Sequence, residues 1–83
     1  MRVLYFAWVR EQVGLGEEDV TPPPEVATVA ALVDWLASRD DAHAGAFADR
    51  GRLRTAVDGV FTRFDASIVG AREVAIFPPV TGG

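Results

Sequence analysis

The segment Thr28-Val29-Ala30-Ala31-Leu32-Val33-Asp34-Trp35-Leu36-Ala37-Ser38 sets the architecture of the chain. Val29, Leu32, Val33 and Leu36 recur at i, i+3, i+4 and i+7, one apolar stripe along a helix, while Asp34, Ser38 and Arg39 lie toward the other side. Thr28 is a good N-cap, since its hydroxyl can accept from an otherwise unsatisfied amide of the first turn. The spacing predicts a helix over about Val29–Ser38. Everything around it reads as strand and turn.

Upstream, Met1–Val9 is rich in β-formers and reads as a strand with Val3, Tyr5 and Ala7 on one face and Leu4, Phe6 and Trp8 on the other. Both faces are apolar, so this strand is either covered on both sides or carries a sticky outer face. A helical turn over Arg10–Val13 is stopped by Gly14-Leu15-Gly16, and Glu17–Thr21 returns as a second strand. Pro22-Pro23-Pro24 then imposes an extended connector without ladder donors. Downstream, Asp40-Asp41 opens a looser connection with a short helix over Ala42–Ala48, anchored by Phe47 and ended by Gly51. Leu53–Val57 and Val60–Phe64 read as strands around a turn at Asp58-Gly59. After a loop over Asp65–Gly70 comes a last strand, Glu73–Phe77, with Val74 and Ile76 opposite Ala75 and Phe77. The expected fold is a single α+β domain, residues 1–83, in which a mixed sheet wraps one main helix.

Composition narrows the function. The 83 residues contain no cysteine, which excludes a disulfide framework, a zinc ribbon, a thiolate-held cluster and hence the plant-type ferredoxins. One histidine makes a His-rich metal site implausible, and no metal or resident cofactor is expected. Twelve acidic residues against eight basic ones, all arginine, give a net charge of −4 without a basic patch, so nucleic-acid binding is not expected. No stretch approaches the roughly 20 apolar residues of a membrane span, and the apolar start lacks a signal-peptide cleavage site. A soluble cytoplasmic protein is expected.

No phosphate loop, nucleophile elbow or His–carboxylate cluster appears. Glu17-Glu18-Asp19 and Asp40-Asp41 read as solvated turns, His43 as a surface or edge residue, Trp35 as the border of the helix and Trp8 as the sheet edge. Catalysis by the chain's own side chains is not expected. The chemistry gathers instead in residues 78–83. Pro78-Pro79 stiffens the exit, and six residues in extended form reach roughly 19 Å at about 3.1 Å each. Gly82-Gly83 has no side chains, so such a flexible tip can enter a narrow tunnel and lie close to another protein's reactive atoms. The group delivered would be the Gly83 carboxylate, which resists nucleophiles until it is activated, for example as an acyl-adenylate. With no nucleotide site in the chain, an ATP-using partner would have to supply that step.

The stretch Glu73-Val74-Ala75-Ile76-Phe77-Pro78-Pro79-Val80-Thr81-Gly82-Gly83 strongly resembles the C-terminus of molybdopterin synthase small subunits, the MoaD family. Val3-Leu4-Tyr5-Phe6-Ala7-Trp8-Val9-Arg10-Glu11 is similar to that family's first strand and the turn after it. The resemblance implies a ubiquitin-like β-grasp fold. It further implies that an E1-like adenylyltransferase activates Gly83, that a sulfurtransferase supplies sulfur for a thiocarboxylate, and that ATP is used by the partner alone. The carrier would dock on a MoaE-like large subunit in a heterotetramer, its tail residues Pro78, Pro79, Val80, Thr81 and Gly82 giving access to the pocket. Sulfur would pass to cyclic pyranopterin monophosphate to build the molybdopterin dithiolene, with this chain a non-catalytic, sulfur-donating subunit. Phe6, Phe61 and Phe77 match the family's exposed apolar docking surface; the alternative is that they cover a second small core under a loop. The sequence departs from the family at Asp58, where Asn is common, and at Gly70-Ala71-Arg72-Glu73, one residue longer and more positive than the usual turn. Two other functions stay open: a carrier for thiamin or cysteine synthesis, and a ubiquitin-like interaction module without sulfur chemistry.

Overall fold

A computed structural model describes residues 1–79. The strands are β1 (Arg2–Tyr5), β2 (Glu17–Asp19), β3 (Arg54–Val57), β4 (Val60–Thr62) and β5 (Glu73–Phe77); the helices are α1 (Ala7–Val13), α2 (Val29–Ala37) and α3 (Asp41–Ala46), with a short 3-10 turn at Arg50–Arg52. The five strands form one sheet in the order β2-β1-β5-β3-β4. β5 lies at its centre, parallel to β1 (Val3 beside Val74, Tyr5 beside Ile76) and antiparallel to β3 (Thr55 beside Ile76). The first and last strands thus meet in the middle, and α2 covers one face. That is the ubiquitin-like β-grasp expected from the resemblance.

Period-2 alternation explains which face is covered. Val3, Tyr5, Val74 and Ile76 are buried and join the α2 stripe Val29, Leu32, Val33 and Leu36 in one apolar cluster with Phe47, Leu53 and Ile68. The Thr28 hydroxyl accepts from the Ala31 amide at 3.1 Å, as the N-cap reading requires. Its backbone also bridges to Ser67, and the amides of Val29 and Ala30 donate to the carbonyls of Ala66 and Phe64, so the loop before β5 satisfies the helix start. At the β3–β4 hairpin Asp58 and Gly59 both adopt positive φ, 49° and 83°, the two-residue turn that matches strand twist. The Asp58 carboxylate accepts from the amides of Arg72 and Glu73, each at 2.9 Å, and so receives the chain as it enters β5.

The expected long first strand is overturned. β1 ends at Tyr5; Ala7, Trp8 and Val9 begin α1, entered through extended Phe6 and a positive φ of 53° at Ala7. The helix wins because it buries Val9 and Val13, four residues apart, on the core. Trp8 consequently sits on a helix and not at the sheet edge. Glu17-Glu18-Asp19 form an edge strand, which bears out the strand reading over Glu17–Thr21 and overturns the reading of the three acids as a solvated turn. His43 is buried, 4% exposed, and not a surface residue. Among the described residues no helix is long and apolar enough to cross a membrane.

Candidate functional site

The sheet face away from α2 is apolar at its centre. Register places Leu4 beside Ala75, Ala56 beside Ala75 and Phe61, and Arg54 beside Phe77, so these side chains share the uncovered face. Phe61 is 79% exposed and Phe6 48%, while Phe77 is half-buried, its ring centroid 5.7 Å from that of Phe61. An open depression of about 560 Å³ is lined by Phe6, Ala56, Phe61, Ala75, Phe77 and the Pro78-Pro79 pair. The three phenylalanines therefore come together on an open surface and do not cover a second core. Sequence reasoning missed Ala56; its signal was period 2 from Arg54, which puts a small side chain on the outer face of a central strand.

The depression runs directly into the chain's exit. β5 ends at Phe77, and the half-buried Pro78 and Pro79 form both its margin and the margin of a second hollow of about 420 Å³ beside Trp8, Gly51 and Arg52. The remaining tail residues named above, Val80, Thr81, Gly82 and Gly83, lie outside the described residues.

A separate polar cluster ties the other side of the molecule. Glu18 alternates inward from β2, where one of its oxygens accepts from the Tyr5 hydroxyl at 2.8 Å and lies 2.7 Å from His43 Nε2. Its second oxygen accepts from Arg39 Nη1 at 3.0 Å. Asp40, the N-cap of α3, accepts from the His43 amide at 2.9 Å and lies 2.7 Å from His43 Nδ1. Both ring nitrogens therefore face carboxylates, and the doubly protonated imidazolium alone can donate to both. Burial works against that charge, but hydrogen bonds to Glu18 and Asp40 outweigh it and raise the His43 pKa above its ordinary value. Burial likewise opposes ionisation of Glu18, yet the bonds from His43 and Tyr5 leave its pKa lowered. Asp40 is lowered chiefly by the His43 amide, and the Tyr5 hydroxyl is raised by burial and by Glu18. These groups satisfy one another, and no buried side-chain polar atom among the described residues lacks a partner, which marks a structural clasp. Among the described residues no group of three or more His, Asp or Glu side chains is arranged to hold a metal ion.

Comparison with known proteins agrees with the fold. A family profile described as the ThiS family matches residues 3–83. The chain is 42% identical to the molybdopterin synthase sulfur carrier subunit of Escherichia coli (strain K12) over 83 residues, covering 100% of this chain and 99% of that protein. It is 32% identical to the protein of the same name in Haemophilus influenzae, again covering 100% and 99%. The crystal structure of SAMP1 from Haloferax volcanii superposes with a TM-score of 0.75 at 27% identity, covering 100% of this chain and 98% of that one.

Proposed function

The chain belongs to the ThiS family, and from that membership we propose that it is the sulfur-carrier subunit of a molybdopterin synthase. The observation that carries this reading is the continuity of the apolar depression with Pro78-Pro79, which joins a docking face to the root of the tail. The names of the full-length relatives support the pathway.

In this mechanism the chain supplies no acid, base or metal. An E1-like enzyme brings the Gly83 carboxylate onto the α-phosphorus of ATP; pyrophosphate leaves, and the carboxyl carbon becomes an acyl-adenylate. A persulfide carried by a sulfurtransferase then attacks the acyl carbon and displaces AMP, and a thiol reductant cleaves the resulting acyl disulfide, itself ending as a disulfide, to leave the thiocarboxylate. Phe6, Phe61 and Phe77 seat the carrier on the large subunit, because burying aromatic area gives such an interface its anchors. Pro78 and Pro79 hold the tail root extended, Val80 and Thr81 carry it inward, and Gly82 lets the backbone pass close to the pocket wall. The large subunit provides the pocket in which sulfur passes to cyclic pyranopterin monophosphate.

The test is to incubate the full chain with ATP, an E1-like partner and a sulfur source, then take its intact mass. A gain matching one sulfur-for-oxygen exchange, localised to Gly83 by fragmentation, is expected. Failure to gain it under conditions that charge a known carrier would sink the reading. Transfer to the pterin precursor in the presence of the large subunit separates this pathway from thiamin or cysteine synthesis.

A further inference from the structure

The two margins of the docking face differ in how their charges are paired. At the end remote from the tail, Arg2, Glu17, Asp19 and Glu73 alternate onto the outer face, and Met1 and Arg72 border the same hollow, so cations and carboxylates are mixed there. Arg2 Nε lies 3.2 Å from Glu17 and 3.8 Å from Asp19, so that margin is internally paired. The tail end is different. Arg54 neighbours Phe77 on the outer face, and Arg52 borders the hollow beside Pro78-Pro79. Both are exposed and, like Arg10 and Arg72, form no ion pair among the described residues, whereas Arg50 is matched by Asp34 and Arg63 by Asp65.

The two guanidiniums are nevertheless held in place. Arg52 Cζ lies 4.7 Å from the Trp8 ring centroid, stacked on a residue that itself packs against the core. Arg54 Nη1 donates to the carbonyls of Gly51 at 3.2 Å and Leu53 at 2.8 Å. Ordinary solvated arginines lose side-chain entropy when a partner fixes them; these have lost much of it in advance, which favours recognition by a fixed acceptor. They stand as two oriented cations, on a chain of net charge −4, at the root of the tail.

We propose that Arg52 and Arg54 are recognition residues for carboxylate side chains at the rim of the partner channel that receives the tail. The occupant is thus a protein surface with an apolar centre and an acidic lip on the tail side. This inference rests on the docking role proposed above. Unpaired positive charge on the tail side fixes which way round the partner sits, so that the tail root meets the channel, and it accelerates encounter more than it tightens the final complex.

The experiment measures association of the full chain with the large synthase subunit at low and high ionic strength. The variants are R52E/R54E and the charge-retaining R52K/R54K. The folded state of each is checked by amide NMR spectra. At low salt R52E/R54E is expected to slow association about tenfold or more, with the difference shrinking as salt screens it. R52K/R54K is expected to stay within about threefold of the parent, the size of change left when the charge is kept. Parent binding with R52E/R54E inside that same range at low salt overturns the inference and leaves the docking role standing. Absence of parent binding overturns both.

Discussion

His43 shows how one side chain sets the pH limits of the fold. Its imidazolium bridges Glu18 on β2 and Asp40 at the head of α3, and the Tyr5 hydroxyl and Arg39 complete the shell. Because the folded-state pKa is raised, the contribution of His43 is fully present below its unfolded value of 6.5 and is lost as pH rises through the folded value. Glu18 behaves oppositely: its pKa is lowered, so its contribution is present above 4.5 and is lost as pH falls through the folded value. The clasp is therefore strongest between the lowered Glu18 pKa and the raised His43 pKa. An NMR titration of the His43 ring should place its midpoint above 6.5, and Glu18→Gln should bring it down. Denaturant unfolding of the parent should weaken as pH passes that midpoint, while His43→Asn should show no such step. A ring titrating at or below 6.5 would dismiss the clasp.

At the scale of elements, α2 was readable because its stripe, its cap and its length agree. Thr28→Ala should lower stability by about 1 kcal/mol, with Thr28→Ser retaining most of it, as measured by chemical denaturation. Val74 and Ile76 were equally plain, since alternation alone sends them inward. α1 was not, because Ala7-Trp8-Val9 is apolar enough to continue a strand, and what ends β1 is a tertiary gain from burying Val9 and Val13. The clasp was half legible. Asp40 three residues before His43 is a local capping spacing, but Glu18 is 25 residues away, and nothing local says that a β2 carboxylate will meet that ring. Only the register of β1 on β2, which turns Glu18 inward between outward Glu17 and Asp19, brings them together. Arg52 over Trp8 was hidden for the same reason.

For the whole molecule, the sheet separates two tasks between its faces. The face toward α2 makes the core, and the other keeps Phe6 and Phe61 in water at a cost that a partner can recover. Phe61→Asp, 79% exposed in the free chain, should leave the unfolding midpoint nearly unchanged yet weaken binding to the large subunit about tenfold or more, as read by calorimetry. Deleting Gly83 should likewise spare the fold but abolish sulfur transfer in the mass assay, because it leaves Val74 and Ile76 of β5 and their partners in the core untouched. The position of β5 has a mechanical consequence. A partner that grips the tail pulls on Pro78, and the load passes into a strand bonded along both sides, to Arg2–Tyr5 and to Arg54–Val57. Tension along that axis loads both ladders in shear, many bonds at once, whereas an edge strand peeled from its end would yield one bond at a time. The cord is anchored in the middle of the fabric, so the carrier can be tugged free of its partner without unravelling.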